Sequence, residues 1–354
     1  MCLWMHGFFC YNVGIDLKLT LNVIISCIGG FYNMHIPENY LSPSTCAVMT
    51  VAMAPVWYKA SKHVKENLDS DKLPMIGVGA AFSFVAMMFN IPIVGGSSGH
   101  AIGGTLLAIL LGPDAACIAI SVALLIQAVL FGDGGILAFG ANCFNMAFIL
   151  PFVGYYLYKL FVGGKEKKSR KLISAFIASY IAINIAALAA AIEFGIQPIL
   201  FKDASGNALY CPYSLSVSVP AMMAEHLLLF GFVEAIFTTG VLGYLYQTKP
   251  NLVDTETKTN NPVYLLLGVL IALVPLGLIA QGTAWGEWSN EELIEQIGYV
   301  PSGMQNGFSF ESIMPDYSLN GLPEVFTYYL SAIIGVAILI ILFKMISTMK
   351  KKHA

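Results

Sequence analysis

The sequence is poor in charge. Of its 354 residues only 11% are Asp, Glu, Lys or Arg, against about 25% in ordinary soluble domains. That shortage excludes a large solvated surface. No basic patch is large enough to follow a nucleic-acid backbone, and a net charge of −3 points to no such partner. Paired cysteines are missing too. None of Cys2, Cys10, Cys27, Cys46, Cys117, Cys143 and Cys211 forms a CxxC pair. Most sit in apolar runs and read as small buried hydrophobes, not as a disulfide framework. No HExxH, GxSxG or Walker A string occurs. The chain is therefore expected to be no enzyme, to bind no ATP itself and to carry no resident cofactor.

What fills the space is apolar. The chain is 57% hydrophobic, with a mean hydropathy of +0.73. After Met34, apolar runs fall at about 45–61, 74–90, 101–112, 114–131, 139–162, 172–195, 216–247, 262–281 and 326–346. A bilayer-spanning helix needs about 20 residues. The expected fold is all-α: a polytopic membrane helical bundle of about seven transmembrane helices plus a C-terminal two-helix hairpin. The run at 101–112 is short and is stopped by Gly112-Pro113. It reads as a half-length or partly re-entrant helix. A polar, aperiodic stretch at 249–261 divides a bundle, 34–248, from a second unit, 262–354. No solenoid repeat is evident.

Charge orients the bundle. An N-terminus outside puts 62–73, 163–171, 248–261 and 347–354 inside. Of the 18 Lys and Arg, Lys18 precedes the bundle and only Lys202 falls in an outer loop, so 16 lie on the inner side, as the positive-inside rule requires. Met34, His35 and His100 are then on the outer side of the cell membrane, and the C-terminus is cytoplasmic. The outer loop 282–325 is acidic, with Glu287, Glu291, Glu292, Glu295, Glu311, Asp316 and Glu324. It reads as a solvated loop or as a weak cation-gathering field.

Residues 1–33 form a leader. Its apolar run, Leu17–Phe31, resembles a weak signal peptide, but Phe31 and Asn33 stand where small residues are expected. Translation beginning at Met34 explains the same facts, and a retained extra helix is a third reading. The first two readings leave a free amine on Met34.

That amine matters because of the next residue. In Met34-His35-Ile36-Pro37-Glu38 a free amine, the His35 amide nitrogen and the His35 imidazole are joined in one fused chelate. His100, in Gly99-His100-Ala101, offers a fourth nitrogen and a small-residue setting that lets another backbone approach. A lone histidine is more often a hydrogen-bonded polar residue than a ligand, yet four nitrogens in a square suit Ni(II) and Cu(II), and imidazole also suits cobalt. In the Gly-rich segment 132–145, Asp133, Asn142 and Asn145 either make a tight outer turn or orient the ligands by hydrogen bonds. His226 and Glu234 are costly groups in a spanning run. They are read equally as structural or as supporting the ligands, and direct ligation is ranked lower.

Met34-His35-Ile36-Pro37-Glu38-Asn39-Tyr40-Leu41-Ser42-Pro43 resembles the mature start of the CbiM/NikM family, the substrate-binding components of energy-coupling-factor cobalt and nickel importers. The His100 loop, the string GDGGILAFGANCFNMAF at 132–148 and the His226/Glu234 helix resemble it too. The resemblance spans roughly residues 34–248. It implies that Met34 is exposed as the first residue. It further implies that the metal is held by the Met34 amine, the His35 amide and imidazole, and His100. Expected partners are a transmembrane coupling component, cytoplasmic ATPase subunits and lipid. Ala47, Ala52 and Ala54 are candidates for the coupling contact. The hairpin resembles the two-helix accessory, or PDGLE-type, domain; its eponymous string is absent and Asn320-Gly321-Leu322-Pro323-Glu324 is a loose echo. The function the resemblance implies is capture of Ni(II) or Co(II) for ATP-driven uptake, with supply to cobalamin biosynthesis or nickel enzymes. The rivals are an autonomous metal channel or permease and a metal-dependent membrane enzyme. The latter is disfavoured because no general base is recognisable beside the histidines.

Overall fold

The computed structural model describes residues 35–68, 73–92, 97–164, 167–248, 261–280, 285 and 288–352. The leader, Met34, most of the 249–261 stretch and Glu287 lie outside the described residues. Each of the nine apolar runs is a helix. They are α1 Pro43–Asn67, α2 Leu73–Met87, α3 Gly104–Leu111, and α4 Pro113–Phe131, α5 Phe139–Val162, α6 Lys168–Leu200, α7 Leu215–Thr248 and α8 Pro262–Ile279. A short outer helix, α9 Asn290–Ile297, precedes the last, α10 Glu324–Lys352. Two-residue strands, β1 Ile91–Pro92 and β2 Ser98–Gly99, pair antiparallel.

Six of the helices are long and apolar enough to cross a membrane. α1 is long, but its last turns carry Lys59, Lys62, Lys65 and Glu66. α2 is apolar but has 15 residues. α3 has eight, so it is too short to cross a membrane.

Local chemistry sets the boundaries. Ser42 caps α1, its hydroxyl accepting from Thr45 N–H at 3.1 Å, and Pro43 takes the first helical position, where no N–H is needed. Gly112, at φ 86, ends α3, and Pro113 starts α4 at once. Three helices carry π-helical turns, at Gln127–Phe131, Cys143–Ile149 and His226–Phe230. Such turns insert a residue and re-aim side chains, often at functional sites.

Three apolar clusters result among the described residues. The largest joins α1, α2, α4 and α5 to α10 through residues such as Met53, Phe84, Phe131, Leu150 and Leu339. Another gathers Phe82, Leu106, Tyr158 and Leu242. The C-terminal helix α10 packs along α2, and α8 touches both. A smaller outer core gathers Ile36, Tyr40, Phe194, Tyr213, Trp285, Trp288 and Leu293. Trp285 and the segment 288–297 therefore lie against the start of the bundle instead of standing free in solvent. Cys46, Cys117, Cys143 and Cys211 are free and buried, as expected of small apolar residues.

Candidate metal centre

The segment after residue 34 is held by its backbone. Asn142, at the end of the first turn of α5, accepts from Ile36 N–H at 2.9 Å and donates to Ile36 C=O at 3.1 Å. Gly135 N–H donates to the same carbonyl at 2.9 Å. The Glu38 carboxylate accepts from Ile136 N–H at 2.7 Å and Leu137 N–H at 3.2 Å. Glycine is needed where the two strands of chain meet. A Cβ at Gly135 would fall 2.8 Å from Glu38 N, and Gly134 sits at φ +88 against His35.

His35 is thereby buried, at 2% exposure. Its Nδ1 lies 2.8 Å from Asp133 Oδ1. The pair is close but falls outside hydrogen-bond geometry. Its Nε2 has no hydrogen-bond partner among the described residues. Burial alone would raise the Asp133 carboxyl. The His35 imidazole and the Tyr317 hydroxyl outweigh it and hold Asp133 below its ordinary value.

His100 arrives from the loop between β2 and α3. Its ring centroid is 5.4 Å from that of His35, edge to face. Its Nδ1 is 3.3 Å from Ala101 C=O, which has no hydrogen to give, so Nδ1 carries the proton and Nε2 presents a lone pair. That Nε2 is buried and unpartnered among the described residues. Burial first, then the neighbouring His35, pushes the His100 imidazole down to about 3. A neutral imidazole is the form that binds metals. Glu234 of α7 fixes this loop: its Oε2 accepts from Ile102 N–H at 2.8 Å and Gly103 N–H at 3.1 Å. Ser83 donates to Ile102 C=O at 2.7 Å.

His35 and His100 open on a cavity of about 110 Å³ that Asn142, Asn145, His226 and Trp285 also line. His226 gives its Nδ1 to Met222 C=O at 2.9 Å. Asn145 does not reach a histidine; it donates to the buried Glu193 at 2.9 Å. A second cavity, about 510 Å³, is walled by Pro37, Glu38, Gly134, Trp288, Glu291 and Glu292. It gives the acidic outer loop a defined inner wall.

Of the candidate residues, then, His35, His100, Asp133, Asn142, Asn145 and His226 converge, and Glu234 acts on the His100 loop. Met34 lies outside the described residues. No group of three His, Cys, Asp or Glu side chains is arranged for a metal among the described residues. Two imidazoles therefore need backbone nitrogens to complete a coordination set. Sequence reasoning missed Gln127, Glu193, Trp285 and Tyr317. Gln127 and Glu193, polar within long apolar runs, were the available signal.

Comparison with known proteins is decisive at this point. Residues 35–252 match the cobalt uptake substrate-specific transmembrane region, CbiM. The chain belongs to the CbiM family. A PDGLE domain matches residues 261–352. CbiM-type relatives fused in the same way include a "probable fused nickel transport protein" of Lactiplantibacillus plantarum. It is 50% identical over 88% of this chain and 97% of that protein. The fused nickel transport protein of Rhodobacter capsulatus is 45% identical over 87% and 95%. A cobalt transport protein of Streptococcus sanguinis is 32% identical over 55% and 80%. Among solved structures, a truncated transition metal transporter is 56% identical with a TM-score of 0.57, covering 60% of this chain and 99% of that one. The chain is thus a multi-pass membrane component of metal transport and not an enzyme.

Proposed function

We propose that this CbiM-family chain captures Ni(II) or Co(II) at the outer face for an energy-coupling-factor importer. The observation that carries the proposal is the pair of buried imidazoles 5.4 Å apart, with His100 Nε2 unpartnered among the described residues. His35 follows residue 34 directly in the chain, where a free amine and an amide nitrogen would complete the set. Closing the fused chelate ring requires Nδ1 of His35. Capture therefore turns that ring half a turn about Cβ–Cγ and passes Asp133 to the Nε2–H. Four nitrogens in one plane favour Ni(II). The word nickel in the names of both fused relatives supports the same cargo.

A transmembrane coupling component and cytoplasmic ATPase subunits complete the importer in this reading. The exposed face of α1, with Ala47, Ala52 and Ala54, is the contact proposed for the coupling component; Cys46, Met53, Ala60 and Val64 face inward. The orientation with Met34 outside and the C-terminus cytoplasmic follows from the lysine distribution. Radioactive nickel uptake tests the function in cells lacking other nickel importers. Uptake is expected only when the coupling and ATPase subunits are co-expressed. Equal uptake by this chain alone would favour a permease.

A further inference from the structure

The 282–325 loop of the C-terminal unit reaches the carboxylate beside His35 through Tyr317. Tyr317 lies between α9 and α10, 184 residues from Asp133, yet its hydroxyl donates to Asp133 Oδ2 at 2.5 Å. Gln127 Nε2, from the π-helical turn of α4, donates both to that hydroxyl at 3.0 Å and to Asp133 Oδ2 at 3.1 Å. Asp133 Oδ1 is left for His35 at 2.8 Å. All four side chains are buried. The Tyr317 ring stacks on Phe131 at 4.8 Å, and Met314 N–H pairs with Leu130 C=O at 2.8 Å.

The backbone is bent to make this reach. Asp316 and Tyr317 both sit at positive φ, 51° and 58°. Non-glycine residues adopt that conformation at a cost, and it persists where surrounding contacts enforce it. Nothing in the packing of α10 on α2 needs a tyrosine hydroxyl beside a buried carboxylate. We propose that Tyr317 is a positioning residue for metal capture: the C-terminal unit fixes the Asp133 carboxylate where it engages His35 Nδ1 before capture and accepts the Nε2–H once the ring has turned to receive the ion. This inference rests on His35 and His100 being ligands. It gives the C-terminal unit a part in the site itself.

The test is Ni(II) titration of the purified full chain. Five forms are compared: wild type, Tyr317→Phe, Asp133→Asn, the double variant and His35→Ala. Loss of a partner that orients a ligand typically weakens metal binding by roughly 10–100-fold. Tyr317→Phe should show a loss in that range with unchanged stoichiometry. A residue acting through Asp133 should add less than about twofold once Asp133 is Asn, because the two changes remove one pathway. A tyrosine that merely packs would weaken binding equally on both backgrounds, and that result overturns the proposal. So does wild-type affinity in Tyr317→Phe while His35→Ala loses the metal. Wild-type binding in His35→Ala, or no binding by wild type, overturns the ligand assignment instead and the positioning role with it. Should Tyr317→Phe not fold, Gln127→Met removes the second donor on the same carboxylate. The same loss is expected from it, and unchanged affinity there overturns the proposal.

Discussion

Replacing Asn142 with leucine isolates the docking of the N-terminal segment from the metal ligands themselves. Asn142 touches neither histidine through a hydrogen bond; it clamps the backbone of Ile36, one residue on from His35. Leucine fills similar volume but leaves Ile36 N–H buried without an acceptor. That orphaned donor costs about 1–3 kcal/mol, and the second lost bond adds about 1 kcal/mol. Ile36 C=O keeps Gly135 N–H, so its loss is partial. The total of about 2–4 kcal/mol falls on the docked segment, which can escape it only by leaving the bundle. Ion affinity scales with the docked fraction. At about 1.4 kcal/mol per tenfold, Asn142→Leu should weaken Ni(II) binding by about 30- to 700-fold while stoichiometry at saturation stays unchanged. Calorimetric titration of the full chain reads the affinity. Limited proteolysis near residue 38 reads the undocking, and cleavage should be faster in the variant. Affinity within twofold of wild type, with unchanged proteolysis, would refute the reasoning.

Further outcomes follow from the same geometry. Glu234→Ala removes the acceptor shared by Ile102 and Gly103 N–H. It should weaken Ni(II) binding at least about tenfold, since two buried N–H donors lose their acceptor at about 1–3 kcal/mol each; Glu234→Gln, which keeps an acceptor, should lose less. Gly99→Ala would set a Cβ 2.3 Å from the Phe230 ring. Overpacking of that kind costs about 1–3 kcal/mol, so both the thermal midpoint and Ni(II) affinity should fall. The His100 imidazole, lowered from 6.5 to about 3 by burial, refuses a proton that the unfolded chain accepts. Its contribution to stability is complete above the unfolded value and is lost as pH falls toward the folded one. The midpoint of His100→Gln should therefore decline less than that of wild type between about pH 6.5 and about pH 4.5; parallel declines would contradict the assigned shift.

The helices were legible because lipid and core both demand apolar side chains in runs of fixed length. Even the half-length helix ending at Gly112-Pro113 followed from glycine and proline chemistry. The π-helical turns at Gln127, Cys143 and His226 were not legible: a slipped hydrogen-bond register leaves hydrophobicity intact. His35, His100, Asp133 and Asn142 stood out because imidazole, carboxylate and amide groups are expensive in an apolar chain. Tyr317 and Trp285 did not, since an aromatic residue in an outer loop is ordinary. Only the folding of that loop onto the bundle brings Trp285 to the cavity and Tyr317 to Asp133. Asn145 was read as a helper of the ligands, and its bond runs to Glu193 instead.

We propose that a new chain end at residue 34 supplies nitrogens to an ion shared by His35 and His100. Intact mass and nickel content are to be measured on the same membrane-extracted preparation. A chain beginning at Met34 with one ion bound is expected, and loss of that ion in both His35→Ala and His100→Ala. A chain that keeps residues 1–33 and still holds one nickel ion per molecule would contradict it.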